Sequence, residues 1–162
     1  MEKLKADIMS HLDSLRNLTA TDFCSLALMD DQNIIRWRYV SGNRNDRYKR
    51  IALRLGRGIA GQVIRSGRPM YLDSFKMKAG DDPKEYPILL AENLKSVLAA
   101  PVTINHKVQG VLMIGYRYPA TYTDQQLLLV EDVAEQLGSM LQAREKERGN
   151  VIYLYPFNGS EH

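Results

Sequence analysis

Two long strand-like runs, Ser96 to Ile104 and Lys107 to Tyr116, meet around the stretch "NHK" with no room for a helix between them. Strands joined by so short a connection pair antiparallel, because a parallel pair needs a crossover of about a dozen residues or more. Whatever this chain folds into is built around that hairpin.

A competing signal lies upstream. In "LGRGIAGQVIRSGRPMYLD", Leu55 to Asp73, residues Gly56, Gly58 and Gly61 have the spacing of a dinucleotide-binding fingerprint, with an acidic residue downstream. A true fingerprint follows a buried parallel strand and opens a crossover helix of ~10 or more residues. Here the preceding "IALRL", a short strand candidate, carries Arg54, where a doubly buried strand would be apolar. The helix after "GRG" extends only from about Ile59 to Ser66 before Gly67 and Pro69 stop it, and "MYLD" reads as another short strand. The glycines do not mark a nicotinamide site.

The other elements are legible from their periods. Leu4, Ile8, Leu12, Leu15 and Leu18 recur at three- and four-residue steps between Met1 and Leu18, an amphipathic helix. Phe23 to Met29 and Ile34 to Val40 are strand-like runs about the turn "DDQN", with Ile35, Trp37 and Tyr39 on one face and Arg36 and Arg38 on the other. A polar loop, "SGNRNDRYKR", follows. Between "MYLD" and the long hairpin, "SFKMKAGDDPKEYPILLAENLK" is a lid-like connection with a short helix near Ile88 to Asn93. Thr123 and Gln126 form a capping box, Tyr122 is placed to staple the helix start, and Val130, Val133, Ala134, Leu137, Met140 and Leu141 form the apolar stripe of a helix reaching about Arg148.

With 162 residues, 44% of them hydrophobic, the chain suits one domain, expected over residues 1–149. Residues 150–162, "NVIYLYPFNGSEH" after Gly149, are expected to be a tail that packs back on the domain or is in part foreign to the natural chain. No apolar run approaches the ~18 residues of a membrane span and the first residues are charged throughout, so a cytoplasmic location is expected. Cys24 is the sole cysteine, which leaves no internal disulfide, cysteine-built zinc site or two-thiol chemistry. His11, His106 and His162 fall on a helix, a turn and the terminus and form no metal or catalytic cluster. From Arg36 to Arg68 ten basic residues face one acid, Asp46, a local charge of +9 in a chain of net +3. Such a field suits a small anion, a phosphate ligand, nucleic acid or an acidic partner, and equally a solvated face. No nucleic-acid recognition motif accompanies it.

"GRGIAGQVIRSGRPMYLD" followed by "LKSVLAAPVTINHKVQGVLMIGYRYPATYTDQQLLLVEDVAEQLGSML" closely resembles the GAF domain family, over roughly Leu4 to Leu141. The resemblance implies an α+β fold: a central antiparallel sheet, the N- and C-terminal helices on one face, and a ligand pocket with short helices on the other. Several occupations of that fold lack their residues here. Its free methionine sulfoxide reductases need several cysteines; its cyclic-nucleotide binders carry an Asn-Lys-Phe-Asp-Glu constellation absent from this chain; its bilin binders need a suitably placed cysteine in a far longer chain. The expectation is a sensor or binding domain and not an enzyme, with no catalytic residues, metal or cofactor.

The first turn of the helix after "GRG" leaves the amides of Ile59 and Ala60 without intrahelical acceptors, at the positive end of the helix dipole, which makes an anion site or, on the plainer reading, a tight strand-to-helix turn. Trp37 is either a core aromatic or a pocket wall whose indole N–H donates to a ligand. In "EYPILLAEN", Tyr86 and Pro87 precede a second helical start, where Ile88 and Leu89 offer further amides. "RWRY", "GRGIAG" and "YPIL" in this order resemble the stand-alone GAF nitrate receptors of Nre nitrate- and oxygen-sensing systems. That resemblance implies nitrate as ligand, with iodide as a mimic, held by Trp37, Ile59, Ala60, Tyr86, Pro87 and Ile88, with Leu89 adjacent. It also implies a partner, the sensor histidine kinase of a two-component system, restrained when nitrate is absent. The alternative is an interaction module sensing another small ligand, such as a nucleotide or metabolite, whose terminal helices pair in a homodimer or pack on their own sheet.

Overall fold

The structure, a computed structural model, describes residues 2–76 and 85–154. The order of elements is α1 (Glu2–Thr19), β1 (Phe23–Met29), β2 (Ile35–Ser41), a 3-10 turn (Arg47–Arg50), α2 (Gly58–Ser66), β3 (Met70–Leu72), α3 (Pro87–Glu92), β4 (Ser96–Ile104), β5 (Lys107–Tyr116) and α4 (Asp124–Leu154). The strands form one sheet in the order β2-β1-β5-β4-β3, with every neighbouring pair antiparallel. The expected hairpin is its backbone: β4 and β5 pair from Ser96 opposite Tyr116 to Ile104 opposite Lys107. Asn105 and His106, at φ +53° and +67°, make the two-residue turn whose twist matches the strands.

Strand alternation divides the core into two layers. Cys24, Leu26, Leu98, Leu112 and Ile114 face one side, where Ile8, Leu12 and Leu15 of α1 and Val130, Ala134 and Leu137 of α4 cover them. Phe23, Ala27, Val97, Ala99, Val111 and Met113 face the other, beneath α2 and α3. Most of both terminal stripes thus packs on the chain's own sheet. The capping box forms as read: the Thr123 N–H donates to Gln126 Oε1 at 2.9 Å and the Gln126 N–H to Thr123 Oγ1 at 3.1 Å. His11, expected to be a plain helix-face residue, links the terminal helices, with Nδ1 2.8 Å from the Asp7 carbonyl and Nε2 3.2 Å from Gln136 Oε1.

Four local expectations are corrected. Tyr39 does not share a face with Ile35 and Trp37: Leu26 pairs with Tyr39 but Ala27 pairs with Trp37, so Arg38 is an extra residue in β2, and this bulge turns Tyr39 toward the terminal helices. "IALRL" forms no strand; its contribution is a single antiparallel bridge between Leu53 and Ile35. Leu18 is 69% exposed, and Thr19 takes the buried position one turn past Leu15, donating its hydroxyl to the Leu15 carbonyl at 2.7 Å. Helix α4 does not end near Arg148 but runs through Gly149 to Leu154, since one glycine costs a helix only about 1 kcal/mol and no proline follows until Pro156. The middle of the lid, 77–84, and the end of the tail, 155–162 with His162, lie outside the described residues. Among the described residues no helix is long and apolar enough to cross a membrane.

Candidate functional site

The glycine-rich stretch starts from a fixed point. Leu53 exchanges backbone hydrogen bonds with Ile35 at 2.8 and 2.9 Å, and the chain then turns through Gly56 and Gly58, at φ +85° and +63°, into α2. Gly61 serves close approach: a Cβ there would lie 2.5 Å from the Arg54 carbonyl oxygen, and the Gly61 carbonyl accepts from the Gly56 N–H at 2.9 Å. Arg57 caps the helix without a side-chain hydrogen bond. The Gly61 N–H is the first to find an intrahelical acceptor, the Arg57 carbonyl at 2.9 Å, so the amides of Ile59 and Ala60 have none. Both residues are buried, Ala60 completely.

The start of α3 lies beside that of α2, for the Glu85 carbonyl is 3.6 Å from where a Cβ on Gly58 would stand. Pro87 occupies the first helical turn, where its missing N–H removes no hydrogen bond. Ile88 has an amide with no intrahelical acceptor, whereas the Leu89 amide donates to the Tyr86 carbonyl at 3.1 Å and is occupied. The Tyr86 ring is half-buried and meets Phe75 edge to face at 5.8 Å.

Trp37 reaches the same layer from β2. It is 2% exposed and belongs with Ile59, Ala60, Ile88 and Leu89 to one buried cluster, against which Tyr86 packs. Its indole Nε1 is buried and has no hydrogen-bond partner among the described residues. Of the seven residues named from sequence, six fall in or against this cluster, and Pro87 is half-buried at the head of α3 beside them. The polar groups gathered here are N–H donors in apolar surroundings, an arrangement completed by a ligand that only accepts hydrogen bonds. The ten basic side chains from Arg36 to Arg68 are all exposed, so they supply a positive field around the site without lining its buried cluster.

The far end of α3 is held by groups that sequence reading missed. Glu92, fully buried, accepts from Arg117 Nη2 at 2.7 Å and from the Arg44 N–H at 2.8 Å, both at Oε1. Arg117 also donates to the Glu92 carbonyl at 2.9 Å and to the Gly42 carbonyl at 3.0 Å, and Asn45 Nδ2 donates to the Ala91 carbonyl at 2.9 Å. One guanidinium therefore ties α3 to the loop after β2 and to the end of β5. A glutamate in "LLAEN" and an arginine in "YRYP" carry no local sign of this pairing.

The lone thiol takes no part. Burial, the largest influence, pushes the Cys24 thiol far above its ordinary range, and its side chain faces the terminal helices. Native protein at about pH 8 is expected to leave Cys24 unmodified by a thiol reagent that labels it fully in urea; labelling of the folded protein at the unfolded rate would show the layer to be open.

The fold and site define a class. A GAF domain family model matches residues 10–142, and the chain belongs to that family. Among solved structures it is similar to a Staphylococcus aureus NreA protein mutated in its nitrate binding site, with 36% identity, 74% of this chain and 91% of that chain covered, and a TM-score of 0.67. A hypothetical protein of S. aureus also matches at 36% identity over 71% of this chain and 98% of that one, TM-score 0.65. The GAF domain of an Acinetobacter phosphoenolpyruvate-protein phosphotransferase, 19% identical with TM-score 0.73 over 91% of this chain and 86% of that one, shares the fold. A curated relative, the HTH-type transcriptional activator RamA of Corynebacterium glutamicum, is 24% identical over 70% of this chain, which spans 42% of that protein's length.

Proposed function

We propose that this chain is a nitrate receptor, a non-enzymatic GAF sensor that binds the anion among Trp37, Ile59, Ala60, Tyr86, Pro87 and Ile88 and regulates a cytoplasmic sensor histidine kinase. The observation that carries the reading is the Trp37 indole N–H, which has no partner among the described residues and is buried in the same cluster as Ile59, Ala60 and Ile88, whose amides have no intrahelical acceptor. Leu89 contributes apolar surface, since its amide is already engaged. Nitrate accepts hydrogen bonds and cannot donate them, and it is weakly hydrated, so neutral donors compensate its desolvation without a buried cation. Similarity to the S. aureus nitrate-binding protein supports the same ligand. Occupancy would draw the starts of α2 and α3 together, and the position of α3 is what a kinase would read.

Isothermal titration of the purified protein with nitrate is the test, with chloride and a cyclic nucleotide as controls. Saturable binding of nitrate alone is expected, and heat from none of them would overturn the reading. Trp37 is the only tryptophan, so its fluorescence is expected to change along the same titration curve; a flat signal alongside calorimetric binding would remove Trp37 from the site. For the partner, autophosphorylation of the kinase should fall when anion-free protein is added and recover with nitrate.

A further inference from the structure

A second buried polar side chain without a partner among the described residues, the Ser25 hydroxyl, lies on the same side of the sheet as Trp37. Ser25 sits on β1 between Phe23 and Ala27, which face the layer under α2 and α3; its cross-strand partners, Val40 on β2 and Met113 on β5, belong to that layer too. Alternation therefore aims its side chain into this layer, away from Cys24 and Leu26, which face the terminal helices. Trp37 is the cross-strand partner of Ala27, the next residue of β1 on this face after Ser25, and lies beyond the Arg38 bulge from Val40, the partner of Ser25. Around it the floor is apolar, and a hydroxyl buried there with nothing to bond is destabilising relative to alanine. The hydroxyl and the indole N–H are the two buried side-chain donors of this layer that have no partner among the described residues.

We propose that the Ser25 hydroxyl is a further contact of the bound anion and sets its preference for a trigonal oxyanion over a halide. This rests on the nitrate reading above. Ile59 and Ala60 stand at the start of α2, Ile88 at the start of α3, Trp37 on β2 and Ser25 on β1, all on this one side of the sheet. A planar ion with three oxygens presents acceptors in separate directions and can engage a donor from the floor as well. A sphere such as iodide sits against the amides and the indole and leaves the floor hydroxyl unpaired.

Wild type, Ser25→Ala and Ser25→Cys are titrated with nitrate and with iodide, and melted without either. Nitrate affinity is expected to fall about tenfold in Ser25→Ala while iodide affinity changes less than about threefold, and the anion-free melting temperature stays level or rises. Ser25→Cys, which keeps a side chain of similar size but only a weak donor, should fall between the two and carries the test if the alanine variant does not fold. Unchanged nitrate affinity in a folded variant, or equal losses for nitrate and iodide, overturns the role of Ser25. If wild type binds no nitrate, the receptor reading falls and this one with it; if wild type binds and Ser25→Ala binds equally well, only Ser25 is excluded.

Discussion

Replacing Arg117 by alanine should lower the stability of the domain by about 3 kcal/mol, because it leaves a carboxylate buried without its cation. Glu92 is 0% exposed and Arg117 28%, so the pair is a buried acid reached by a partly solvated base. Without Arg117 the acid keeps one backbone donor, the Arg44 N–H, for two oxygens, of which Oε2 already has no partner among the described residues. The Glu92 and Gly42 carbonyls lose their donor in the same step. Urea unfolding of Arg117→Ala, Arg117→Lys and the double variant Glu92→Gln with Arg117→Met separates charge from packing. The double variant should recover most of the loss, since removing both partners is far less costly than stranding one. A single variant within about 1 kcal/mol of wild type would show that Glu92 finds another partner or reaches solvent.

The second large effect concerns binding and leaves the fold nearly untouched. Trp37→Phe removes the indole N–H and keeps an aromatic ring in the cluster. That N–H has no partner among the described residues, so its removal breaks none of the hydrogen bonds within them, and the smaller ring loses some packing. A hydrogen bond to a charged group is worth about 1.5–3 kcal/mol, so nitrate affinity should fall roughly ten- to a hundredfold. Calorimetry on the folded variant checks this. Equal affinity in Trp37→Phe and wild type would make Trp37 a core aromatic, the plainer of the two readings its position in the sequence allows.

Trp37 was legible because it alternates with Arg36 and Arg38 on a strand, and Ile59 and Ala60 because glycines bracket a short helix whose first amides must point outward. Glu92 and Arg117 were not, because each alone looks like an ordinary charged residue and they meet only when α3 docks across the sheet. Leu89 shows the limit at finer scale: its place in the first turn of α3 suggests a free amide, but the turn tightens and gives that amide to the Tyr86 carbonyl. Ser25 is intermediate, a polar residue visible within an apolar strand whose lack of a partner is a property of the packed sheet.

By itself the sequence determined the hairpin of β4 and β5, the amphipathic stripes of α1 and α4, the Thr123–Gln126 cap and the stop after α2, because each depends on periods or turn chemistry within a few residues. Only the tertiary structure decided that the bulge at Arg38 parts Tyr39 from Trp37, that α2 and α3 begin side by side, and that Arg117 fastens α3 in place. Those outcomes depend on packing between segments far apart in the chain, where the burial of one group is set by what the fold lays over it, and no local pattern encodes that meeting.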